Sequence, residues 1–186
     1  PIGEEKAFRG VVDLITKKAY VFAGGEAGTC TEVPVPDDLV AAVDTAREQL
    51  IEVAALNEEL APFRILTGCE VDILADGTLD LPDDVLAGLD LVVASAHSKL
   101  SMPERPMTER LVRAVANPHV DVLGHCTGRK LVGRGRPPST FDAELVFAAC
   151  AQFGTAVEVN CRPERQDPPD ELLDLALEWG CFVSVD

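Results

Sequence analysis

The sequence predicts an α/β protein in which an open parallel sheet of about five strands carries flanking helices. Five short apolar or β-branched runs recur from residue 63 onward, and a helical pattern separates each run from the next. Because both kinds of segment are largely apolar, helices are expected on both faces of the sheet. The five runs are residues 64–73, 91–95, 120–124, 156–160 and 181–185.

Capping residues mark the ends of the predicted helices. Ser139 and Thr140 precede the segment FDAELVFAA (141–149), and Gly154 and Gly180 stand where helix C-caps are expected. Trp179, near the end of the last helix, is expected in the core.

The first 62 residues have a different pattern. Residues 8–16 and 17–22 predict a β-hairpin, with Gly-containing turns beyond it at 24–25 and 27–28, and a long helix begins after the segment PVPDD (34–38) and ends at Pro62. We expect an internal boundary within residues 54–62. One helical stripe runs along this helix through Leu39, Val43, Ala46, Leu50, Val53 and Leu60.

Composition excludes several function classes. The chain has 16 Lys+Arg against 32 Asp+Glu, a formal net charge of −16, so non-specific nucleic-acid binding is not expected. No apolar run approaches the roughly 18 residues of a membrane span. The six Cys form no C-x-x-C pair, which argues against a zinc knuckle and favours a cytoplasmic location with free, structural Cys.

Each of the five predicted strands ends with a polar residue in a nearly equivalent place, and these residues are one βα unit apart. In a parallel sheet these positions meet at the carboxyl edge, where active sites of this class are built. A Glu and two His suit a divalent metal such as Zn or Mn, whereas a single polar residue at a strand end is more often a cap or a loop hydrogen bond. The five residues are Glu70, His97, His125, Asn160 and Asp186.

Three segments carry a resemblance to a known superfamily: GCEVDILADGTLDLPDDVLAGLDLVVASAHS, NPHVDVLGHCTGR and AVEVNCRPERQDPPDELLDLA. Over about residues 56–186 they resemble the PHP (polymerase and histidinol phosphatase) superfamily, above all the PHP modules of bacterial X-family DNA polymerases and their stand-alone relatives. The resemblance implies a distorted, TIM-like α/β barrel that hydrolyses phosphoesters with a metal cluster at the carboxyl strand ends. It implies Glu70, His97 and His125 as metal ligands. Residues near a substrate phosphate would be Asn160, Arg162 and Arg165.

The sequence departs from that pattern. It lacks the H-x-H and D-H pairs of the family, and the expected D-A-H motif would follow Asp186, where the chain stops. Of the three His, His119 is expected to be a surface or structural residue, so at most one metal position remains. Both ends look cut, and five strands make only a partial barrel. We therefore expect a PHP-type phosphoesterase segment of impaired activity.

The N-terminal segments PIGEEKAFRGVVDLITKKAYVF and VPVPDDLVAAVDTAREQLIEVAA resemble the insertion subdomain in the GTPase domain of elongation factor G, over about residues 1–54. No phosphate-binding loop is present, so no nucleotide is expected. The two resemblances divide the chain into 1–55 and 56–186, which suggests a chimera or, alternatively, a natural fusion. A non-catalytic scaffold built from two folds is the alternative function.

A Gly-rich loop at residues 128–136 contains Arg129, Lys130, Arg134 and Arg136. Arg129 is a candidate substrate-binding residue; equally, the loop is an ordinary solvated one. The partners expected are a phosphorylated small molecule or a nucleic-acid end, with no membrane. The open sheet is expected to be covered by the N-terminal hairpin and helix or by self-association, or to flatten into a doubly wound layer.

Overall fold

The computed structural model describes residues 2–3, 9–14, 16–22 and 30–186. The chain forms two compact units, Pro1–Leu66 and Thr67–Asp186. The proposed division at residue 55 concerns which family each segment resembles, and it stays a prediction.

The N-terminal unit contains a three-stranded antiparallel sheet followed by a long helix. Strands β1 (Gly10–Asp13), β2 (Lys18–Phe22) and β3 (Cys30–Val33) pair in chain order, with Val11 opposite Tyr20 and Tyr20 opposite Glu32. The β1–β2 hairpin was predicted, but β3 was not. The predicted turns at 24–25 and 27–28 lie outside the described residues.

A short 3-10 turn (Asp37–Leu39) leads into helix α1 (Val40–Glu59), as the sequence predicts. The predicted apolar stripe is confirmed only in part, because Val43 is buried while Leu60 is 42% exposed. The Leu50 side chain lies outside the part of the chain that the structure describes. Asn57 interrupts the stripe for a visible reason. Its side chain donates to the Ile65 carbonyl (2.9 Å) and accepts from the Ile65 N–H (2.6 Å), which ties the segment after the helix back to it.

The second unit contains the predicted five-stranded parallel sheet. Its strands are hydrogen-bonded in chain order, so each βα unit advances in the same direction across the sheet. The strands are β4 (Gly68–Asp72), β5 (Leu91–Ser95), β6 (Val122–Leu123), β7 (Ala156–Val159) and β8 (Val183–Val185). The helices are α2 (Asp83–Leu86), α3 (Glu104–Val115), α4 (Ala143–Phe153) and α5 (Asp170–Glu178).

A single apolar cluster lies between this sheet and its helices. Phe141 and Phe147 contact each other edge to face, with ring centroids 6.3 Å apart, a favourable aromatic geometry. Trp179 was expected in the core, and that prediction was wrong because its side chain is 44% exposed. Phe182 is 72% exposed beside the outer edge of β8, which no strand pairs with among the described residues.

The two ends of helix α4 show one correct and one incorrect capping prediction. Gly154 ends α4 with a φ of 77°, a left-handed conformation that glycine adopts without strain. The start of α4 was misplaced, since the N-cap is Asp142, whose side chain accepts from the Leu145 N–H at 3.1 Å. Ser139 instead donates to the Leu100 carbonyl at 2.9 Å. None of the described helices is long and apolar enough to cross a bilayer, and the cytoplasmic location stays a prediction.

Candidate metal centre

Three ligand-type side chains meet at the carboxyl edge of the sheet. Glu70 lies on β4, His97 follows β5 and His125 follows β6, so neighbouring strands deliver them to one place. The Nε2 atom of His97 lies 3.3 Å from Glu70 Oε1 and 3.2 Å from His125 Nε2. The other ring nitrogen of His125, Nδ1, is 3.6 Å from Glu70 Oε1. The structure thus brings together the three predicted metal ligands.

The spacing fits a small divalent ion. Atoms bound about 2.0–2.1 Å from a tetrahedral ion lie about 3.3–3.4 Å from one another, and His97 Nε2 lies 3.3 Å from Glu70 Oε1 and 3.2 Å from His125 Nε2. Two imidazoles and one carboxylate are also a donor set that zinc accepts, with further positions left for water or substrate. The donor set therefore fits one ion of the type that the sequence predicts.

His125 is the buried member of the group, with 6% of its side chain exposed. Its backbone φ is 22°, in the left-handed region that non-glycine residues seldom adopt. Glu158 Oε2 accepts the backbone N–H of His125 and lies 3.3 Å from its Nδ1. Burial raises the pKa of Glu158, but the hydrogen bonds from His125 and Asn160 outweigh it and lower that pKa to about 2. A charged carboxylate therefore faces His125.

His97 is the exposed member, with 46% of its side chain in solvent. Asp72 Oδ1 accepts the backbone N–H of His97 at 3.1 Å and lies 3.7 Å from its Nδ1. The interaction with Asp72 raises the pKa of His97, burial opposes it, and the charge of Glu70 adds to the rise while that of Arg165 reduces it. A carboxylate thus lies near Nδ1 of each histidine, but the distance is longer for Asp72 and His97 (3.7 Å) than for Glu158 and His125 (3.3 Å).

Arg110 on α3 fixes the chain on the His97 side of the site. Its side chain is buried and donates to three carbonyls: Leu74 (2.9 Å), Ser98 (2.8 Å) and Ile73. Burial lowers the pKa of Arg110. Because these carbonyls follow β4 and β5, one guanidinium joins the two segments that carry Glu70 and His97.

The predicted substrate-binding residues lie on two loops next to the metal ligands, and two of them are occupied by internal contacts. Asn160 is buried; its amide donates to Glu158 at 3.2 Å and its oxygen accepts from the Arg162 N–H at 3.3 Å. Arg129 donates to the carbonyls of Arg165 (3.0 Å) and Gln166.

The other two arginines lie on the loop that follows β7. Arg162 is exposed on the loop between Asn160 and Asp167, which pair with each other as an isolated bridge. Arg165, on the same loop, has a buried Nη1 atom without a hydrogen-bond partner among the described residues. The buried carboxylate of Asp167 accepts from the Thr127 N–H (3.1 Å) and the Arg129 N–H (3.2 Å), so it holds this loop against the one after β6.

Two further residues named in the sequence analysis, Asp186 and His119, are not among the three ligands. Partial burial and the Glu158 charge raise the pKa of Asp186, while the charges of Arg162 and His125 lower it. His119 precedes β6 at the other end of the strand, where its N–H bonds to Asn117 (2.9 Å), as expected for a residue without a role in the site.

Sequence reasoning missed Glu158, Asp72 and Arg110. Two of the three had a readable signal. Glu158 is a charge inside the apolar strand AVEV, and such a charge is buried only with partners. Asp72 lies two residues after Glu70 on a strand and therefore on the same face. Arg110 had no signal, because its partners are 12 to 37 residues away along the chain.

A parallel α/β sheet with two His and a Glu at its carboxyl edge is typical of metal-dependent hydrolases. The chain is 46% identical over 139 residues to the DNA polymerase/3'-5' exonuclease PolX of Bacillus subtilis (strain 168), which covers 75% of this chain and 24% of that protein. It is 35% identical over 109 residues to a protein named "Probable phosphatase" from Thermoanaerobacter sp. (strain X514), covering 56% of this chain and 41% of the relative. It is 36% identical over 130 residues to another of that name from Aliivibrio fischeri (strain MJ11), covering 65% and 49%.

The chain is therefore a relative of PHP-type phosphoesterases, and it spans less than half the length of each of these proteins. No family model matches the chain. The relatives lend no support to an elongation-factor resemblance of the first 54 residues or to a chimera, and both stay predictions.

Proposed function

We propose that this chain is a metal-dependent phosphoesterase segment of the PHP type with one divalent metal position, formed by Glu70, His97 and His125. The observation that supports it is their convergence from three neighbouring strands, with His97 Nε2 lying 3.3 Å from Glu70 Oε1 and 3.2 Å from His125 Nε2. Zinc or manganese suits the donor set. With one position in place of a cluster, we propose that the activity is impaired.

The chemistry divides between the ion and the chain. When bound, a divalent ion supplies Lewis-acid stabilisation of charge on a phosphoryl oxygen and acidifies water. Glu70, His97 and His125 hold the ligand atoms in place, and His125 is shielded from solvent while His97 is open to it. The open side of the group is thus the side of His97, from which we propose that substrate enters.

We propose that the substrate phosphate is held by Arg165 and Arg162, with Arg129 and Asn160 supporting the loop that carries them. The buried Nη1 of Arg165 supports this, because an unpaired buried donor costs about 1–3 kcal/mol and a phosphate oxygen would satisfy it. The Arg165 charge also lowers the pKa of His97, which supports a place for this arginine near the metal edge.

The proposed substrate class is a phosphorylated small molecule or a nucleic-acid end, in line with the printed names of the relatives, an exonuclease and phosphatases. The net charge of −16 disfavours long nucleic acids as ligands. To bind a single terminal phosphate, the local positive charge of the loops that carry Arg129, Arg162 and Arg165 is enough.

Metal content and turnover of p-nitrophenyl phosphate test the proposal together. After incubation with zinc or manganese and desalting, we expect about one metal per chain by mass spectrometry and slow, metal-dependent hydrolysis. His97→Ala should lose both, because the group then has two ligands. His119→Ala is the matched control, a histidine outside the group, and should keep both.

Metal well below one per chain in the wild type, or unchanged in His97→Ala, would contradict the metal position. Stoichiometric metal without any metal-dependent hydrolysis would contradict the enzyme and leave a metal-binding domain.

A further inference from the structure

Glu158 is a buried carboxylate within β7, only 7% exposed, on the strand next to the one that precedes His125. Each of its oxygens has a defined partner. Oε1 accepts from the Asn160 amide at 3.2 Å, and Oε2 faces the backbone N–H and the Nδ1 of His125. A buried charge is costly unless it is hydrogen-bonded, and here the bonds are concentrated on one proposed metal ligand.

Glu158 contacts both the backbone and the imidazole ring of His125. The backbone of His125 has a φ of 22°, a strained conformation that persists only where neighbouring groups hold it. Glu158 holds it through the His125 N–H, and the Gly128 N–H donates to the His125 carbonyl at 2.7 Å. Glu158 also lies 3.3 Å from Nδ1, nearer than Glu70 Oε1 at 3.6 Å.

We propose that Glu158 is a positioning residue that accepts the Nδ1–H of His125 and so leaves its Nε2 unprotonated and turned toward the metal position. An imidazole that donates from one nitrogen presents the lone pair of the other, and carboxylates behind metal-bound histidines fix the tautomer in this way. The geometry agrees, because His125 Nε2 lies 3.2 Å from His97 Nε2. This inference rests on the proposed metal position.

Zinc affinity in Glu158→Gln measures the effect of the carboxylate. The glutamine keeps the shape and an oxygen that accepts the backbone N–H, but it is a weaker, neutral acceptor for Nδ1–H. We expect zinc affinity, measured by competition with a chromophoric chelator, to fall about 10- to 100-fold. Affinity within twofold of the wild type would overturn the proposal.

Asp121→Asn is the matched control. Asp121 Oδ2 also accepts a backbone N–H from a neighbouring strand, that of Val92 at 2.8 Å, but at the start of β6, at the opposite end from His125. Its replacement should leave zinc affinity unchanged. An equal loss in both variants would show a general effect on the sheet and would overturn a specific role of Glu158.

The tautomer of His125 in the metal-free protein tests the same proposal without any metal. Long-range proton–nitrogen NMR, assigned with His97→Asn and His119→Gln, should show His125 protonated at Nδ1 in the wild type and a mixture of tautomers in Glu158→Gln. Protonation at Nε2 in the metal-free wild type would overturn the proposal even if Glu158→Gln failed to fold. A wild type that binds no zinc but has the Nδ1–H tautomer would contradict the proposed function and leave the positioning role standing.

Discussion

The two histidines of the candidate metal centre are supported in different ways. His125 is 6% exposed and is held by a buried carboxylate 3.3 Å from its ring, whereas His97 is 46% exposed and its carboxylate, on Asp72, is 3.7 Å away. The backbone beside His97 is instead fixed from a distance, by Arg110. One ligand is thus preorganised by direct contact, while the other is left open on the side from which we propose that substrate enters.

The largest effect is expected from breaking the support on the His97 side. Arg110→Met removes donors from three carbonyls in a buried position, which should lower the free energy of unfolding by about 3–4 kcal/mol in a urea titration. Arg105→Met is the control on the same helix, since Arg105 is 90% exposed and pairs with Glu109 alone. Its effect should stay within about 0.5 kcal/mol, and a similar loss in both variants would contradict the role of Arg110.

The next effect concerns the pH dependence of stability, again on the His97 side. Burial raises the pKa of Asp80 to about 6, and its Oδ1 accepts the Asp72 N–H at 2.9 Å. Because the folded state favours the neutral acid, Asp80 stabilises the fold fully below about pH 4, and this contribution is lost as the pH rises to about 6. Asp80→Asn cannot ionise and should remove that loss, which amounts to about 3 kcal/mol at most.

Chemical unfolding at pH 4 and pH 7 checks this prediction. The stability gained by Asp80→Asn over the wild type should be larger at pH 7 than at pH 4. In Asp76→Asn the sign should reverse, because the hydrogen bonds from Thr78 lower the pKa of Asp76 and its charged form stabilises the fold. An Asp80→Asn gain that does not change with pH would contradict the raised pKa.

A smaller effect is expected on the His125 side, from Gly124→Ala. A Cβ at residue 124 would lie 2.2 Å from Ser95 Oγ and 3.0 Å from Val93 Cγ1, so neighbouring side chains must shift, at a cost of about 1–3 kcal/mol. Ser95→Ala should restore part of the loss, since it removes the closest atom. Unfolding free energies of the two single variants and the double variant would show the recovery, and purely additive losses would contradict the contact.

The smallest effect is expected from Asp72→Asn, which weakens the carboxylate behind His97. Because that ring is half exposed and the contact is 3.7 Å long, zinc affinity should fall by less than about tenfold. The chelator competition described for Glu158→Gln measures it under identical conditions. A larger loss in Asp72→Asn than in Glu158→Gln would reverse the comparison between the two histidines.

Much of the fold was readable because strands and helices leave local patterns. The five parallel strands and the meeting of Glu70, His97 and His125 followed from apolar runs of known length with a polar residue at or near the end of each. Strand β3 was missed because its four residues, CTEV, have no apolar alternation and two of them are exposed. Trp179 was misplaced because burial near the sheet edge depends on which strands pair, and the residue type carries no such information.

The partners of the residues that support the site could not be read from the sequence for the same reason. The contact of Glu158 with His125 spans 33 residues, and the contact of Arg110 with Ile73 spans 37. A charged residue in an apolar strand indicates that it has a partner, but the sequence does not show which residue that partner is. Only the packed arrangement assigns Glu158 to His125 and Arg110 to the carbonyls beside His97.

Anomalous diffraction at the zinc edge, from crystals of the zinc-loaded chain, tests the central claim most directly. We expect one strong peak per chain, about 2.0–2.1 Å from a ring nitrogen of His97 and from Nε2 of His125, with Glu70 as the third ligand. A zinc peak bound by Cys or by surface carboxylates, with the group of Glu70, His97 and His125 empty, would contradict it.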